Sequence, residues 1–284
     1  MRAFLNLCSL LVTALAPLAA TAAVPDGCGP LNDPEGLARS ARIILVGEIH
    51  GTREYPALAA RLACAALDGG RPVTLALEIP LDQQARLDAY MASSGGDSAR
   101  AVLTSGSRFW ERVRDGRSSM AVLALIEQAR RWREHGLPVG LIAIDKPRGA
   151  PGTRDEHMAA RVRHASTAAP ELVVIALTGN MHNRLAPPSP SEMAGMPMRI
   201  DTPMGVLLRD LGPATIGNLL SRGASFSCMP DCRVHGEDEA GPALAVPVIA
   251  RAPQRGGAYT HVVELGHTSA SLPALAATPR QPGP

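Results

Sequence analysis

The sequence predicts an α/β protein, a three-layer α/β/α sandwich around a mostly parallel central sheet. Three observations predict it. Short apolar runs without polar interruption read as strands buried on both faces. Segments of helical period stand between them, and strand alternating with helix at this spacing is the sequence form of right-handed βαβ units. Four of the runs also end in acidic or imidazole side chains, and open parallel sheets bind ligands outside the carboxyl ends of their strands.

The elements follow in order. Residues 42–47 (RIILVG) make the first strand. Residues 54–67 make a helix with Leu58, Leu62 and Ala65-Ala66 on one side and Arg61 on another, stopped by Gly69-Gly70. Residues 73–79 (VTLALEI) are the second strand, 82–91 a helix with Leu87 and Met91 one turn apart, and 93–96 a loop. Residues 103–117 break the rhythm and read as a helical insertion anchored by buried Phe109-Trp110. The clearest helix spans 119–134, with Val122, Leu125, Ile126 and Ala129 facing inward. Residues 138–144 (PVGLIAI) form the third strand, 155–164 a helix and 171–177 (ELVVIAL) the fourth strand. In the last third, 204–211 reads as a helix, 215–228 as a strand pair or strand-bulge-strand, and 261–265 as a final strand.

The two ends read differently from this core. Met1-Arg2, an apolar run over 3–20 and the small residues Ala20-Thr21-Ala22-Ala23 form a secretory signal peptide with cleavage near Ala23. The expected organisation is a signal peptide over 1–23, a single α/β domain over 24–267 and a disordered tail over 268–284, ending PRQPGP. No later segment is long and apolar enough to span a bilayer, so the mature protein is expected in the periplasm or secreted. Cysteine use agrees. Of 5 cysteines Cys8 leaves with the signal, and Cys28, Cys64, Cys228 and Cys232 remain. The favoured pairing is Cys28–Cys64 and Cys228–Cys232, the latter two being neighbours in one loop. A metal site of Cys228, Cys232 and His235 competes with it, but lacks the second ligand pair of a structural zinc module. Lys+Arg 28 against Asp+Glu 26, with 3% aromatics, argues against a nucleic-acid partner.

The candidate chemistry lies at the strand ends. The first strand runs into Gly47-Glu48-Ile49-His50-Gly51, the second ends at Glu78, the third at Asp145, and the fourth enters Thr178-Gly179-Asn180-Met181-His182. Taken singly, a Glu here is a helix cap or ion-pair partner and a His a satisfied surface group. Glu48 and Glu78 sit in or directly after apolar runs, however, where an unpaired carboxylate is costly. Their nearest available partners are His50, His182 and Arg154, which returns all of them to one site. Two schemes stay open. Glu48, His50, Glu78 and His182 bind a divalent metal that activates water, or a carboxylate orients a histidine that acts as general base while the second histidine stabilises the oxyanion. Either attacks an ester- or amide-like bond with water. The glycine of each Gly-x-x-His element is expected to turn the backbone tightly as it leaves the strand.

These segments, with Ala76-Leu77-Glu78 and Arg154-Asp155-Glu156-His157-Met158-Ala159, resemble the superfamily that unites erythromycin esterase, the ChaN-like haem-binding lipoproteins and the Tiki/TraB proteases. The resemblance covers roughly residues 42–211, and the order of the motifs is more specific than any one of them. It implies a three-layer α/β fold, catalytic roles for Glu48, His50 and Glu78, and a later histidine for which His182 is the candidate. It also implies supporting roles for Arg154 and Asp155, with Arg154 reaching towards the site from the start of its helix, and the place of Asp145 at the end of the third strand gives it a supporting role too. His157 reads as an exposed helix-face histidine. The expected protein is a hydrolase acting on a small-molecule or peptide ligand. The alternative is a non-catalytic haem- or metal-binding uptake protein. Haem is the less supported cofactor, because the ChaN-like members use a tyrosine and none of Tyr55, Tyr90 and Tyr259 clearly matches. The stretch 187–197, with Met193, Met196 and Met198 nearby, reads as a solvated loop with packing methionines rather than a lid or copper site.

Overall fold

The computed structural model of the protein describes residues 28–194, 199–218, 222–228, 231–236, 242–252 and 257–275. The expected signal peptide, Met196, Met198 and residues 276–284 lie outside the described residues.

Strands β1 (Ile43–Glu48), β2 (Val73–Pro80), β3 (Val139–Asp145), β4 (Val173–Gly179) and β5 (Ala214–Gly217) form a parallel block in the order β3-β2-β4-β1-β5. Helices α1 (Leu37–Ser40), α2 (Glu54–Asp68), α3 (Gln84–Met91), α4 (Gly96–Thr104), α5 (Arg108–Arg112), α6 (Met120–Glu134) and α7 (Arg154–Ala168) are carried between these strands or just before them. All six residues of β1 are buried. Successive side chains point to opposite faces of a strand, and the core divides accordingly. Ile44, Val46, Leu75 and Leu77 join one apolar cluster with Leu58 and Leu62 of α2 and Ile126 of α6. Ile43, Leu45 and Ala76 join another with Met158 and Val162 of α7. These are the two faces of one sheet, covered on both sides. That is why the strands read as unbroken apolar runs.

Local sequence places the helix starts. Ser119 caps α6 by accepting from the Val122 amide at 3.4 Å, and Thr153 with Glu156 forms a reciprocal capping box at the start of α7. Phe109 and Trp110 are buried edge to face with ring centroids 5.1 Å apart, anchoring the predicted insertion. The insertion is two short helices, however, and residues 113–117 leave helical geometry to form a charged loop.

The remaining elements are α8 (Pro190–Met193), α9 (Met204–Leu207), β6 (Arg222–Cys228), β7 (Cys232–Gly236), β8 (Ala243–Arg251) and β9 (His261–Thr268). β9 extends the parallel block alongside β5, β8 returns antiparallel on β9, and β6–β7 is an antiparallel hairpin. Four expectations need correction here. The two strands within 215–228 do not pair with each other, because β9 lies between them. The helix expected over 204–211 shortens to α9 plus a 3-10 turn at Arg209–Leu211. The proline-containing stretch from 187 holds a capped helical turn, with Arg184 paired to Glu192 at 2.8 Å. Residues 269–275 are not a disordered tail. Their backbone bonds to Gly51, Arg53, Ser118 and Met120, and Ser271 is buried. The lack of a periodic pattern concealed this, since the attachment combines main-chain bonds with isolated packing by Ala274 and Leu275.

Candidate active site

The carboxyl ends of β2, β4 and β1 are neighbours in the sheet, with β4 in the middle. Glu78 sits at the end of β2 and Glu48 at the end of β1, and Gly179 of β4 pairs with Glu48. His50 crosses between the two acids. Its Nδ1 lies 2.8 Å from Glu48 Oε1 and its Nε2 lies 3.5 Å from Glu78 Oε2. Gly179 makes that crossing sterically available. A methyl group there would stand 3.0 Å from His50 Nε2 and 3.6 Å from Glu78 Oε2. The backbone of Gly179 has φ −51°, so its role is space, not the tight turn expected from the sequence. Gly51 does need glycine's conformational range, with φ +76°, and a side chain would meet the Phe226 carbonyl of β6 at 1.9 Å.

Glu78 is held from every side. The Gly179 amide donates to Oε2 at 2.7 Å, Arg154 donates to Oε1, and Arg117 lies 3.5 Å from Oε1. Both arginines also hold Asp145, Arg117 at 2.6 Å and Arg154 at 2.7 Å. Arg117 pairs with Asp115 at 2.7 Å. Four carboxyl groups thus face three cations across the strand ends.

The protonation states follow from these surroundings. Burial would raise the Glu78 pKa, but the charges of His50 and Arg154 hold it well below the ordinary carboxylate range. Glu48 goes the other way. Burial dominates and raises it, and its Oε2 has no hydrogen-bond partner among the described residues. Desolvation would lower the pKa of His50, yet Glu78 and Glu48 overcome this and raise it to about 10. The resting site therefore holds an imidazolium between an ionised Glu78 and a Glu48 that resists ionisation. Asp115 is kept low by Arg117 against the opposing effect of its burial.

His182 is buried in the 3-10 turn Asn180–Asn183 after β4. Its Nδ1 lies 2.8 Å from Asp155 Oδ1, and the same oxygen accepts from the Met204 amide at 2.7 Å. The charge of His182 contributes to lowering Glu78. No hydrogen bond joins it to Glu48, His50 or Glu78 among the described residues. His157 bonds the Pro151 carbonyl at 2.8 Å, a local helix-start contact. Arg117 and Asp115 escaped the sequence reading because their segment was taken for helix. The Asp115-Gly116 dipeptide, a turn signal flanked by Arg114 and Arg117, is the sign that was available.

The expected cofactors fit these residues poorly. Among the described residues no three His, Cys, Asp or Glu side chains converge as ligands for a metal ion. At the predicted centre, guanidinium groups, the imidazolium and the Gly179 amide take the oxygens of Glu78 and Asp145, which leaves Glu48 Oε2 as the one oxygen of these three acids without a partner among the described residues. Cys228 and Cys232 form a disulfide, as do Cys28 and Cys64, and His235 faces the carbonyls of Ser227 and Asp231. For haem, Tyr55, Tyr90 and Tyr259 are all buried, so none is presented to an external ring.

By sequence, no family model and no curated protein matches the chain. Solved structures do match. A succinoglycan biosynthesis protein aligns over 90% of this chain and 100% of its own, with 11% identity and a TM-score of 0.58. A protein of Bacillus cereus aligns over 85% and 92%, with 11% identity and a TM-score of 0.51. An erythromycin esterase mutant in its open conformation aligns over 85% and 78%, with 15% identity and a TM-score of 0.49. The α/β fold implied by the ordered motifs is the fold observed, and it is shared with the succinoglycan biosynthesis protein and the Bacillus cereus protein. At these identities the likeness concerns fold alone.

Proposed function

We propose that the protein is an exported hydrolase that cleaves an ester-type bond by acid–base chemistry at His50, with no metal taking part. One observation carries this reading, the line Glu48–His50–Glu78 drawn across the end of β4. Glu48 holds Nδ1 and so fixes the ring, which leaves Nε2 to exchange a proton with water or the leaving group. The Nε2–Glu78 separation of 3.5 Å is longer than a hydrogen bond. A water or substrate oxygen can therefore take over that contact without breaking a strong one. The side chain of His50 is 22% exposed, whereas both acids are buried, so the imidazole is the member of the line that meets solvent. Arg154, 28% exposed, stands beside it as the positive group for a developing oxyanion. The two disulfides support the exported location.

Hydrolysis of a chromogenic ester such as 4-nitrophenyl acetate tests the reading. His50→Ala is expected to lower kcat by about 100- to 10,000-fold, and EDTA to leave the wild-type rate unchanged. Because the base is the neutral imidazole, the wild-type rate should climb from neutral pH and level off near His50's pKa of about 10. An unchanged rate in His50→Ala, or a rate abolished by EDTA, overturns the proposal.

A further inference from the structure

Beside the reactive line, on the side of β3, lies a cavity of about 390 Å³. Five cationic side chains line it: Arg108, Arg117, Lys146, Arg148 and Arg154. Two carboxylates share the wall, and both are occupied. Asp145 is held by Arg117 and Arg154, and Asp82 accepts from the Gln83 amide group at 3.0 Å. Lys146 bonds only a neutral acceptor, the Gly152 carbonyl at 2.6 Å. Arg108 and Arg148 form no ion pair or hydrogen bond among the described residues. Two cations without a carboxylate partner, and Lys146 with Glu156 within electrostatic reach, thus face one cavity, on loops set by the end of β3 and the start of α5.

Such an arrangement is self-repelling when empty and is relieved by a multiply charged anion. Guanidinium forks match the tetrahedral oxygens of a phosphate. A phosphate ion fills only a fraction of a cavity of ligand size. Most of the remaining wall is apolar, with Pro80, Phe109, Val113 and Pro147 beside Gln83.

We infer that this cavity binds an organic phosphate, its phosphate group against Arg108, Lys146 and Arg148 and its apolar body against Phe109 and Val113. Resting on the hydrolase reading above, the same inference makes a phosphorylated ester the substrate class of the site. Arg117 and Arg154 border both the cavity and Glu78, so the anion would anchor directly beside the reactive line.

Titration calorimetry of the full chain with phenyl phosphate and inorganic phosphate tests the inference. Phenyl phosphate should bind, and more tightly than inorganic phosphate. Arg108→Ala and Arg148→Ala should each weaken it by about tenfold, with both substitutions together weakening it further. Arg108 and Arg148 are exposed, so these variants should retain the wild-type melting temperature. Arg39→Ala, an exposed arginine outside the cavity, is the control for general charge. Absence of phenyl phosphate binding, or equal weakening by Arg39→Ala, overturns the site. The two proposals fail separately. Binding without hydrolysis of any ester leaves the anion site standing and removes the hydrolase. Hydrolysis of 4-nitrophenyl acetate without phenyl phosphate binding does the reverse.

Discussion

The parallel block β3-β2-β4-β1-β5 and the margin built by β6, β7 and β8 are parts of one sheet system with opposite physical characters. β4 buries six of its seven residues, whereas β8 exposes most of its length. The block collects its ionisable groups at one end, where Glu48, Glu78 and Asp145 are each at most 4% exposed. The margin carries its charged pairs in solvent, as with Arg251, 71% exposed, against Glu35. The difference teaches where charge can be poised. A carboxylate in the block must find a guanidinium, an imidazole or an amide, because water is excluded. The same group in the margin can rely on solvent.

The comparison breaks most sharply on removal of one partner from each region. Arg117→Ala leaves buried Asp115 without its guanidinium and takes one of two arginines from Asp145 and Glu78, and should cost about 3–5 kcal/mol in urea denaturation. Arg251→Ala, which opens an exposed pair, should cost about 1 kcal/mol or less. Equal losses would mean that the block is as well solvated as the margin.

The disulfides offer a second contrast. Cys28–Cys64 ties α2 to the start of the described chain across a separation of 36 residues, and Cys228–Cys232 closes the β6–β7 hairpin across 4. Loop-closure entropy then gives about 4 kcal/mol for the first and about 2 kcal/mol for the second. Paired Cys→Ser substitutions, followed by thermal melting, should rank in that order.

A pH dependence is also expected. His50 has its pKa raised from 6.5 to about 10, so the stability it adds is complete below about pH 6.5 and lost as pH rises towards 10. His50→Gln should melt several degrees below wild type at pH 6, at about 2–4 °C per kcal/mol for a chain of this size. The gap should close by pH 10. A gap that widens with pH would reverse the assigned protonation.

The block was legible in the sequence because burial on both faces leaves continuous apolar runs, and the motif order brought Glu48, His50 and Glu78 to one place. Arg154 was legible too, since the resemblance pointed it at the site. The margin was not. β7 has no buried position and β8, though apolar in sequence, is exposed over its first four residues and interrupted by Pro247, and β9 pairs across large sequence gaps that no local window sees. Arg117 was missed for a related reason. A cation that serves acids from two other strands leaves no periodic trace in its own segment. His182 was read as a member of the cluster; it is hydrogen-bonded to Asp155 and acts on Glu78 through its charge rather than by a direct bond.

One carbonyl links the ends of this description. The Gly51 oxygen accepts from the Phe226 amide at 2.9 Å and from the Ser271 amide at 2.7 Å. The loop that carries His50 is therefore fastened by chain made much later, 175 and 220 positions downstream. During synthesis β1 to β4 can assemble while this loop still lacks both fasteners, since residues 226 and 271 emerge after them. Order of manufacture thereby becomes order of competence. The molecule acquires its scaffold first, and the histidine loop is pinned only once residue 271 is available to fold.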